Sequence, residues 1–163
     1  MTEPADFDAL ELFRALGRHE VEYVTVGGVA IQAYGGQRMT QDLDVAIAAS
    51  RENMDRLAAA LVDLDGRILG PDGQRSKSVP SALLLASGDQ WHLITAYGLL
   101  DVLTLPAHLG SFADVRARAH AVQLGDLSIP IAHRDDLLTM KRTAGRPQDL
   151  ADVRLLESLG DEP

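Results

Sequence analysis

The stretch from Tyr23 to Ala48, YVTVGGVAIQAYGGQRMTQDLDVAIA, constrains the fold more than any other part of the chain. Its pattern predicts a short strand over Tyr23–Val26, a helix of one or two turns, a polar turn, and a second strand carrying Asp42 and Asp44. Side chains alternate faces along a strand, so both carboxylates should project from the same face. They repel each other unless a cation lies between them, and Mg²⁺ is a hard cation that oxygen ligands bind.

Two glycines, Gly27 and Gly28, follow the first strand and open the helix. Unpaired backbone N–H groups and the helix dipole attract phosphate at such a position. Glycine also lets a ligand approach the backbone closely. A phosphate site beside a carboxylate pair predicts that this stretch binds a metal–nucleotide complex. Taken separately, the glycine pair could be only a turn, and the carboxylate pair only a solvated strand edge.

Gly27-Gly28, thirteen intervening residues and then Asp42-Leu43-Asp44-Val45 resemble the motif of the DNA polymerase β-type nucleotidyltransferase superfamily. The resemblance implies an α/β (α+β) fold, with a small mixed sheet, helices packed mainly on one face and a C-terminal helical pair. It also implies an enzyme that transfers a nucleoside monophosphate from a nucleoside triphosphate to an acceptor hydroxyl.

A third carboxylate, Asp101, lies in the apolar run Tyr-Gly-Leu-Leu-Asp-Val-Leu, within a strand predicted over Leu99 to Leu105. Burying it is costly unless it is paired or binds metal. This setting resembles the superfamily strand that bears the third carboxylate. The resemblance implies that Asp42, Asp44 and Asp101 are catalytic and hold two Mg²⁺ ions, with Mn²⁺ also suitable. The alternative is an edge-strand residue whose carboxylate lies in water.

The segment from Lys141 to Asp152, KRTAGRPQDLAD, resembles the C-terminal motif of minimal nucleotidyltransferases of the abortive-infection AbiEii-type toxin family. The nucleotide-binding residues implied by the whole resemblance are Gly27, Gly28, Arg38, Thr40, Lys141 and Arg146. It further implies the toxin of a toxin–antitoxin pair, with a cognate antitoxin and with tRNA or a protein as acceptor. Asp152 is interpreted as a helix charge that complements the dipole.

Composition and charge limit the possible classes of protein. A chain of 163 residues suits one domain, which we expect over residues 1–163, with a catalytic core at about 20–105 and the C-terminal helical segment at about 133–159. The net charge of −9 disfavours a large nucleic-acid footprint, and the absence of cysteine excludes disulfides. An acidic N-terminus and the lack of a long apolar run favour a cytoplasmic protein that does not bind membranes.

The remaining pattern predicts further elements. Helices are expected from about Asp8 to Arg18, after Ser50, from Arg134 to Ala144 and from Pro147 onward. Hairpins are expected from Leu83–Ala86 with Trp91–Thr95, and over Val122–Ile131. The basic segment from Gly66 to Ser81 either contacts the acceptor or the triphosphate, or is a solvated loop. His92 and His108 have no partner at ligand spacing, which favours surface or satisfied core positions.

Two other functions remain open from the sequence. One is a catalytically silent module of the same fold that binds a nucleotide or a partner. The other is a small-molecule nucleotidyltransferase of the antibiotic-modifying kind, for which we expect an additional substrate domain. A complete set of three carboxylates favours an enzyme over a silent module.

Overall fold

The computed structural model describes residues 6–163, and residues 1–5 of the acidic N-terminal stretch lie outside the described residues. The strands are β1 (Tyr23–Val26), β2 (Asp42–Ile47), β3 (Arg67–Ile68), β4 (Gln90–Thr95), β5 (Gly98–Leu103), β6 (His120–Leu124) and β7 (Leu127–Ile131). The helices are α1 (Ala9–Arg18), α2 (Gly27–Ala33), α3 (Arg51–Asp63), α4 (Ala82–Ala86), α5 (Phe112–Arg118), α6 (Arg134–Ala144) and α7 (Pro147–Ser158), with a 3₁₀ turn at Ala107–Leu109.

The strands form one mixed sheet in the order β3-β4-β5-β2-β1-β7-β6. β2 runs parallel to β5 and β1 runs parallel to β7, whereas the other neighbours are antiparallel. The predicted mixed α/β fold is therefore confirmed. Because β5 lies between β4 and β2, Asp101 is not on an edge strand, and that alternative interpretation is wrong.

Burial alternates along β5. Leu100 and Val102 are buried in the core, whereas Leu99, Asp101 and Leu103 on the opposite face are only half-buried. Such alternation indicates that one face of the sheet packs on the core while the other is open. Helix α1 contacts α3, β2 and β7. The open face is the one that carries Asp101.

Helix ends follow the local sequence. Asp8 Oδ1 accepts a hydrogen bond from the Glu11 backbone N–H at 3.2 Å, and Ser50 Oγ accepts one from the Asn53 N–H at 3.2 Å. Such side-chain caps satisfy N–H groups that have no partner within the helix. Gly145 ends α6 in the left-handed conformation, with φ of 66°, as glycine commonly does. The predicted boundaries of these three helices are confirmed.

The predicted hairpin from Leu83–Ala86 to Trp91–Thr95 is wrong. Leu83–Ala86 lies in α4, whose N-cap Ser81 accepts a hydrogen bond from the Leu84 N–H at 3.2 Å. Alanine and leucine favour helix, and a short apolar run cannot be assigned to a strand by periodicity alone. The hairpin instead joins β4 to β5 through a turn at residues 96–97.

The basic segment between α3 and α4 has an internally hydrogen-bonded backbone. Leu69 forms an isolated antiparallel bridge with Arg75, and the Gly70 N–H donates to the Gln74 carbonyl at 2.8 Å. The side chains of Arg75 and Lys77 are exposed. The predicted second hairpin, β6 with β7, is present. None of the described helices combines the length and apolar character needed to cross a membrane.

Asn53 holds the start of α3 against the ends of β1 and β2. Its side chain is fully buried. Asn53 Oδ1 accepts from the Glu22 N–H at 2.7 Å, while Nδ2 donates to the carbonyls of Glu22 at 2.9 Å and Ala48 at 2.8 Å. One side-chain amide therefore forms hydrogen bonds with three backbone groups. These groups lie at one end of the β1–β2 pair, and Asp44 lies at the other end.

Replacing Asn53 by alanine should lower the free energy of unfolding by about 2–4 kcal/mol, because it removes three partly buried hydrogen bonds between the side chain and the backbone. Urea denaturation measures the loss. The control is Asp55→Ala, an exposed position on the same helix, which should stay within about 0.5 kcal/mol of the parent. Equal losses for both variants would contradict this role of Asn53.

Candidate active site

Three carboxylates converge on the open face of the sheet. The parallel pairing of β2 with β5 places Asp44 directly opposite Asp101, with Asp42 two residues earlier on β2. One ligating atom from each of the three residues lies within 4.8 Å of the others. The structure thus brings together the three carboxylates that the sequence predicts to be catalytic.

This arrangement is electrostatically unfavourable without a counter-charge. Burial, together with the negative charges of Asp42 and Asp101, raises the pKa of Asp44 to about 7. A hydrogen bond shared with the Asp101 carboxyl favours the protonated form further. Asp44 therefore holds a proton in mildly acidic solution when no cation is present.

The three carboxylates fit a divalent cation. Each is half-buried, so its oxygens can reach a ligand and are partly shielded from water. Carboxylate oxygens are the donors that Mg²⁺ and Mn²⁺ prefer. A cation in this position would replace the proton on Asp44 and remove the repulsion among the carboxylates.

The two glycines make room for the carboxylate side of the site. Gly27 has a φ of +68°, and a Cβ placed on it would lie 2.1 Å from Asp44 Oδ2. A Cβ on Gly28 would lie 2.9 Å from Thr40 Oγ1. The sequence interpretation reserved this space for a ligand. In the structure the side chains of Asp44 and Thr40 occupy it, so glycine is required here to seat these two residues.

Thr40 in turn orients Asp42. Its Oγ1 lies 3.0 Å from Asp42 Oδ1 and 3.1 Å from the Asp42 carbonyl oxygen, and donates to both. The predicted nucleotide-binding threonine therefore positions a carboxylate of the cluster.

The predicted cations lie in an ionic network on the C-terminal helices. Lys141 Nζ lies 2.9 Å from Asp152 Oδ2 and 3.4 Å from Asp149 Oδ1. Arg146 Nε donates to Asp149 at 2.8 Å, and Arg38 pairs with Asp152. The interpretation of Asp152 as a simple helix charge is wrong, because its side chain is nearly buried between two cations.

Asp149 is the most buried member of this network, with 1% of its side chain exposed. The Arg146 guanidinium hydrogen-bonded to it holds the pKa of Asp149 below its usual range, and Lys141 acts in the same direction. Asp149 is therefore charged at neutral pH, and the network joins three basic side chains to two acidic ones.

The carboxylates and the cations line one cavity of about 640 Å³, which we call the charged cleft. Asp42, Asp44 and Asp101 lie on its sheet side, and Arg38, Lys141 and Arg146 lie among its other lining residues. The six nucleotide-binding residues predicted from the sequence all line it, since Gly27, Gly28 and Thr40 are also present. Such a cleft can hold a cation and an anion side by side.

The sequence interpretation missed His92. Its Nδ1 lies 2.8 Å from Asp101 Oδ1, because β4 and β5 place the two residues opposite each other. The signal was present: a hairpin that turns at residues 96–97 puts positions 92 and 101 in register. The sequence interpretation paired Trp91–Thr95 with Leu83–Ala86 and not with the strand that carries Asp101. Among the described residues, His108 instead contacts Thr143 Oγ1 at 3.2 Å.

Comparison with solved structures identifies the fold. Lincosamide adenylyltransferase LnuA, solved with lincomycin bound, matches with a TM-score of 0.61 and 17% identity over 94% of this chain and 98% of that one. ANT(2″)-Ia in complex with adenylyl-2″-tobramycin matches with a TM-score of 0.58 and 16% identity, over 90% and 83%. A nucleotidyltransferase-like protein from Paracoccidioides brasiliensis matches with 0.55 and 16%, over 94% and 78%.

The chain has the nucleotidyltransferase fold. No family model and no curated protein matches the sequence. The resemblance to AbiEii-type toxins therefore rests on the chain's own motifs and stays a prediction. Within the nucleotidyltransferase fold, the carboxylates of β2 and β5 form the candidate active site.

Replacing Gly27 by alanine should displace Asp44 and abolish high-affinity Mn²⁺ binding, because the new Cβ would overlap the carboxylate. Mn²⁺ titration followed by electron paramagnetic resonance measures the effect. The matched control is Gly35→Ala, where φ is +95° but no atom lies within 4 Å of the added Cβ. Both variants should lose about 1–2 kcal/mol from the backbone conformation. Unchanged Mn²⁺ binding in Gly27→Ala would contradict the seating of Asp44.

Replacing Asp44 by asparagine should stabilise the metal-free protein more at pH 8 than at pH 5. The pKa of Asp44 is about 7 in the folded state, against about 3.9 for an unfolded aspartate. Between these values the folded state binds more protons, so its stability falls as pH rises. Asparagine has no proton to release in this range, so the variant does not lose stability in this way as pH rises. Thermal unfolding in chelator at both pH values measures it.

The control for this pH dependence is Asp55→Asn, an exposed carboxylate on α3. Its effect on melting temperature should be small at both pH values. A gain for Asp44→Asn that is the same at pH 5 and pH 8 would show that Asp44 is not forced to give up a proton in this range.

Proposed function

We propose that this protein is a divalent-metal-dependent nucleotidyltransferase that moves a nucleoside monophosphate from a nucleoside triphosphate to an acceptor hydroxyl. The observation that carries the proposal is the convergence of Asp42, Asp44 and Asp101 in one cleft with Lys141 and Arg146. The nucleotidyltransferase fold of the chain supports it.

Each group has a proposed role. Asp42, Asp44 and Asp101 would hold Mg²⁺, which when bound supplies positive charge to the reacting phosphate oxygens. Lys141 and Arg146 would neutralise the triphosphate, with Arg38 contributing from the far side of Asp152. The acceptor oxygen bonds to the α-phosphorus, the bond from that phosphorus to the bridging oxygen breaks, and pyrophosphate leaves. Asp101 is proposed to take the hydroxyl proton.

The ionic network suits a triphosphate site because it holds its cations in place before the ligand arrives. Cationic side chains that are mobile before binding lose conformational entropy when the ligand orders them, and this loss weakens binding. Lys141 is anchored to Asp149 and Asp152, and its side chain is 17% exposed. An incoming phosphate would share cations that the two buried anions already orient.

The finer proposal is a toxin of a toxin–antitoxin pair, with tRNA or a protein as acceptor and a cognate antitoxin as partner. The resemblance of the Lys141 to Asp152 segment to AbiEii-type toxins supports it. The net charge of −9 weighs against a large tRNA footprint. A protein hydroxyl would need no such footprint.

A second candidate is transfer to a small molecule. From the sequence, such an enzyme is expected to have an additional substrate domain. LnuA, which carries lincomycin in its structure, is covered over 98% of its length by this chain. A chain of this size can therefore match an antibiotic adenylyltransferase along almost its whole length, so a small-molecule acceptor does not require the additional domain.

One experiment separates these acceptors. Purified protein is offered Mg²⁺, each of the four α-labelled nucleoside triphosphates, and separate pools of tRNA, protein and small molecules from a cell extract. Label in one pool identifies the acceptor class, and the base that supports transfer identifies the donor. A silent module would label none of them.

Asp101→Asn should lower turnover by orders of magnitude while triphosphate binding largely survives. Asparagine keeps an oxygen that can accept the His92 hydrogen bond, but it lacks the charge needed for the proton and the cation. Label transfer and calorimetric binding of a non-hydrolysable triphosphate measure the two effects. Asp55→Asn serves as the control. A stable Asp101→Asn variant with undiminished transfer would remove Asp101 from the mechanism.

A further inference from the structure

A second cavity of about 370 Å³ adjoins the charged cleft, and we call it the outer cavity. It is lined by Leu69, Gly70, Pro71, His92, Leu99 and Asp101. His92 and Asp101 also line the charged cleft, so these two side chains form the wall shared by both spaces. A group in the outer cavity would therefore reach Asp101 from the side away from the cations.

The shared wall is held by its own hydrogen bond. His92 Nδ1 and Asp101 Oδ1 lie 2.8 Å apart, and 59% of the His92 side chain is exposed against 18% of Asp101. This bond engages one oxygen of Asp101. It fixes how the carboxylate presents its remaining oxygen to the other ligands of the site.

The loop that forms the other side of the outer cavity is fixed by backbone bonds. The Leu69 N–H donates to the His92 carbonyl at 2.9 Å, and Leu69 bridges Arg75 across the turn. The Gly73 N–H donates to the Gly70 carbonyl at 3.0 Å, closing the turn around Pro71. The loop therefore carries Leu69 and Pro71 as a preformed apolar surface beside Leu99.

Charge is distributed unequally between the two spaces. The charged cleft contains Arg38, Lys141 and Arg146. Among the described residues that line the outer cavity there is no lysine or arginine. A phosphodiester backbone is held mainly by such cations. The outer cavity has the size and apolar lining typical of small-molecule pockets.

We propose that the outer cavity is the acceptor subsite and that it takes a small hydroxyl compound with an apolar face. The apolar face lies on Leu69, Pro71 and Leu99, and the hydroxyl points to Asp101. His92 is a positioning residue that orients Asp101. This assignment rests on the proposed nucleotidyl transfer, and it favours a small-molecule acceptor over RNA or protein.

Leu69→Gln and Pro71→Asp test the apolar surface in the full-length protein. With the small-molecule pool as acceptor, each should raise the KM for the acceptor about tenfold, the scale expected for lost apolar contacts, and leave the KM for the triphosphate unchanged. Pro71 is exposed, so its variant should fold normally. The control is Leu83→Gln on α4, where 84% of the leucine is exposed. In this variant the KM for the acceptor and the KM for the triphosphate should both equal those of the parent.

His92→Leu and His92→Asn test the positioning role. Leucine removes the hydrogen bond to Asp101, so kcat should fall at least tenfold with the KM for the triphosphate unchanged. Asparagine can still donate to Asp101, so its kcat should recover to within a few-fold of the parent. Equal kcat values for the two variants would overturn the positioning role.

A binding measurement on the metal-free protein tests the outer cavity without requiring the proposed nucleotidyl transfer. Saturation-transfer NMR with cyclohexylmethanol as probe should show contact with the metal-free parent protein and with Leu83→Gln, and loss of contact in Pro71→Asp. Label appearing in tRNA or protein rather than small molecules would overturn the acceptor assignment. If no pool is labelled, the proposed function fails. The NMR contrast then decides the subsite: its absence overturns the apolar binding surface.

Discussion

The central constraint on the site is electrostatic. The parallel pairing of β2 with β5 holds three carboxylates close together although they repel one another. Asp44 lies opposite Asp101 in the register, so neither can move away without breaking the sheet. Gly27 adopts a positive φ and leaves room for Asp44. Burial, together with the negative charges of Asp42 and Asp101, raises the pKa of Asp44 to about 7. The fold thus carries a carboxylate cluster that favours a bound proton or cation.

Positive charge is supplied across the cleft in an already paired form. Asp149 and Asp152 are buried acids on α7, and they hold Lys141, Arg146 and Arg38 by direct ion pairs. Buried ion pairs contribute little net stability, because desolvation offsets their attraction. Their clearer effect is to fix where the cations stand. The network also ties the loop before β2 to the last helix, so the two halves of the cleft are positioned relative to each other.

Much of this could be predicted from the sequence, because the decisive signals are local. The spacing of Asp42 and Asp44 along one strand, and the Ser50 cap, require no knowledge of distant partners. The pairing of Arg38 with Asp152 joins residues far apart in the chain, so no local pattern indicates it. Leu83–Ala86 was misassigned because a short apolar run fits both helix and strand. The contact between His92 and Asp101 depends on pairing across the next turn, between β4 and β5, which the sequence interpretation did not consider.

The open face of the sheet divides at Asp101, which lines both the charged cleft and the outer cavity. Asp44 and Asp101 share a row across β2 and β5, and His92 extends that row onto β4. Toward β2 the row meets a second carboxylate and the cations of the helical pair. Toward β3 it meets Leu69, and Leu99 lies two residues before Asp101 on β5. Charged side chains are therefore concentrated on the side proposed to bind the nucleotide, and Asp101 lies where that side meets the proposed acceptor subsite. A donor that is strongly anionic and an acceptor that is not would be sorted to opposite sides of the same residue by solvation alone.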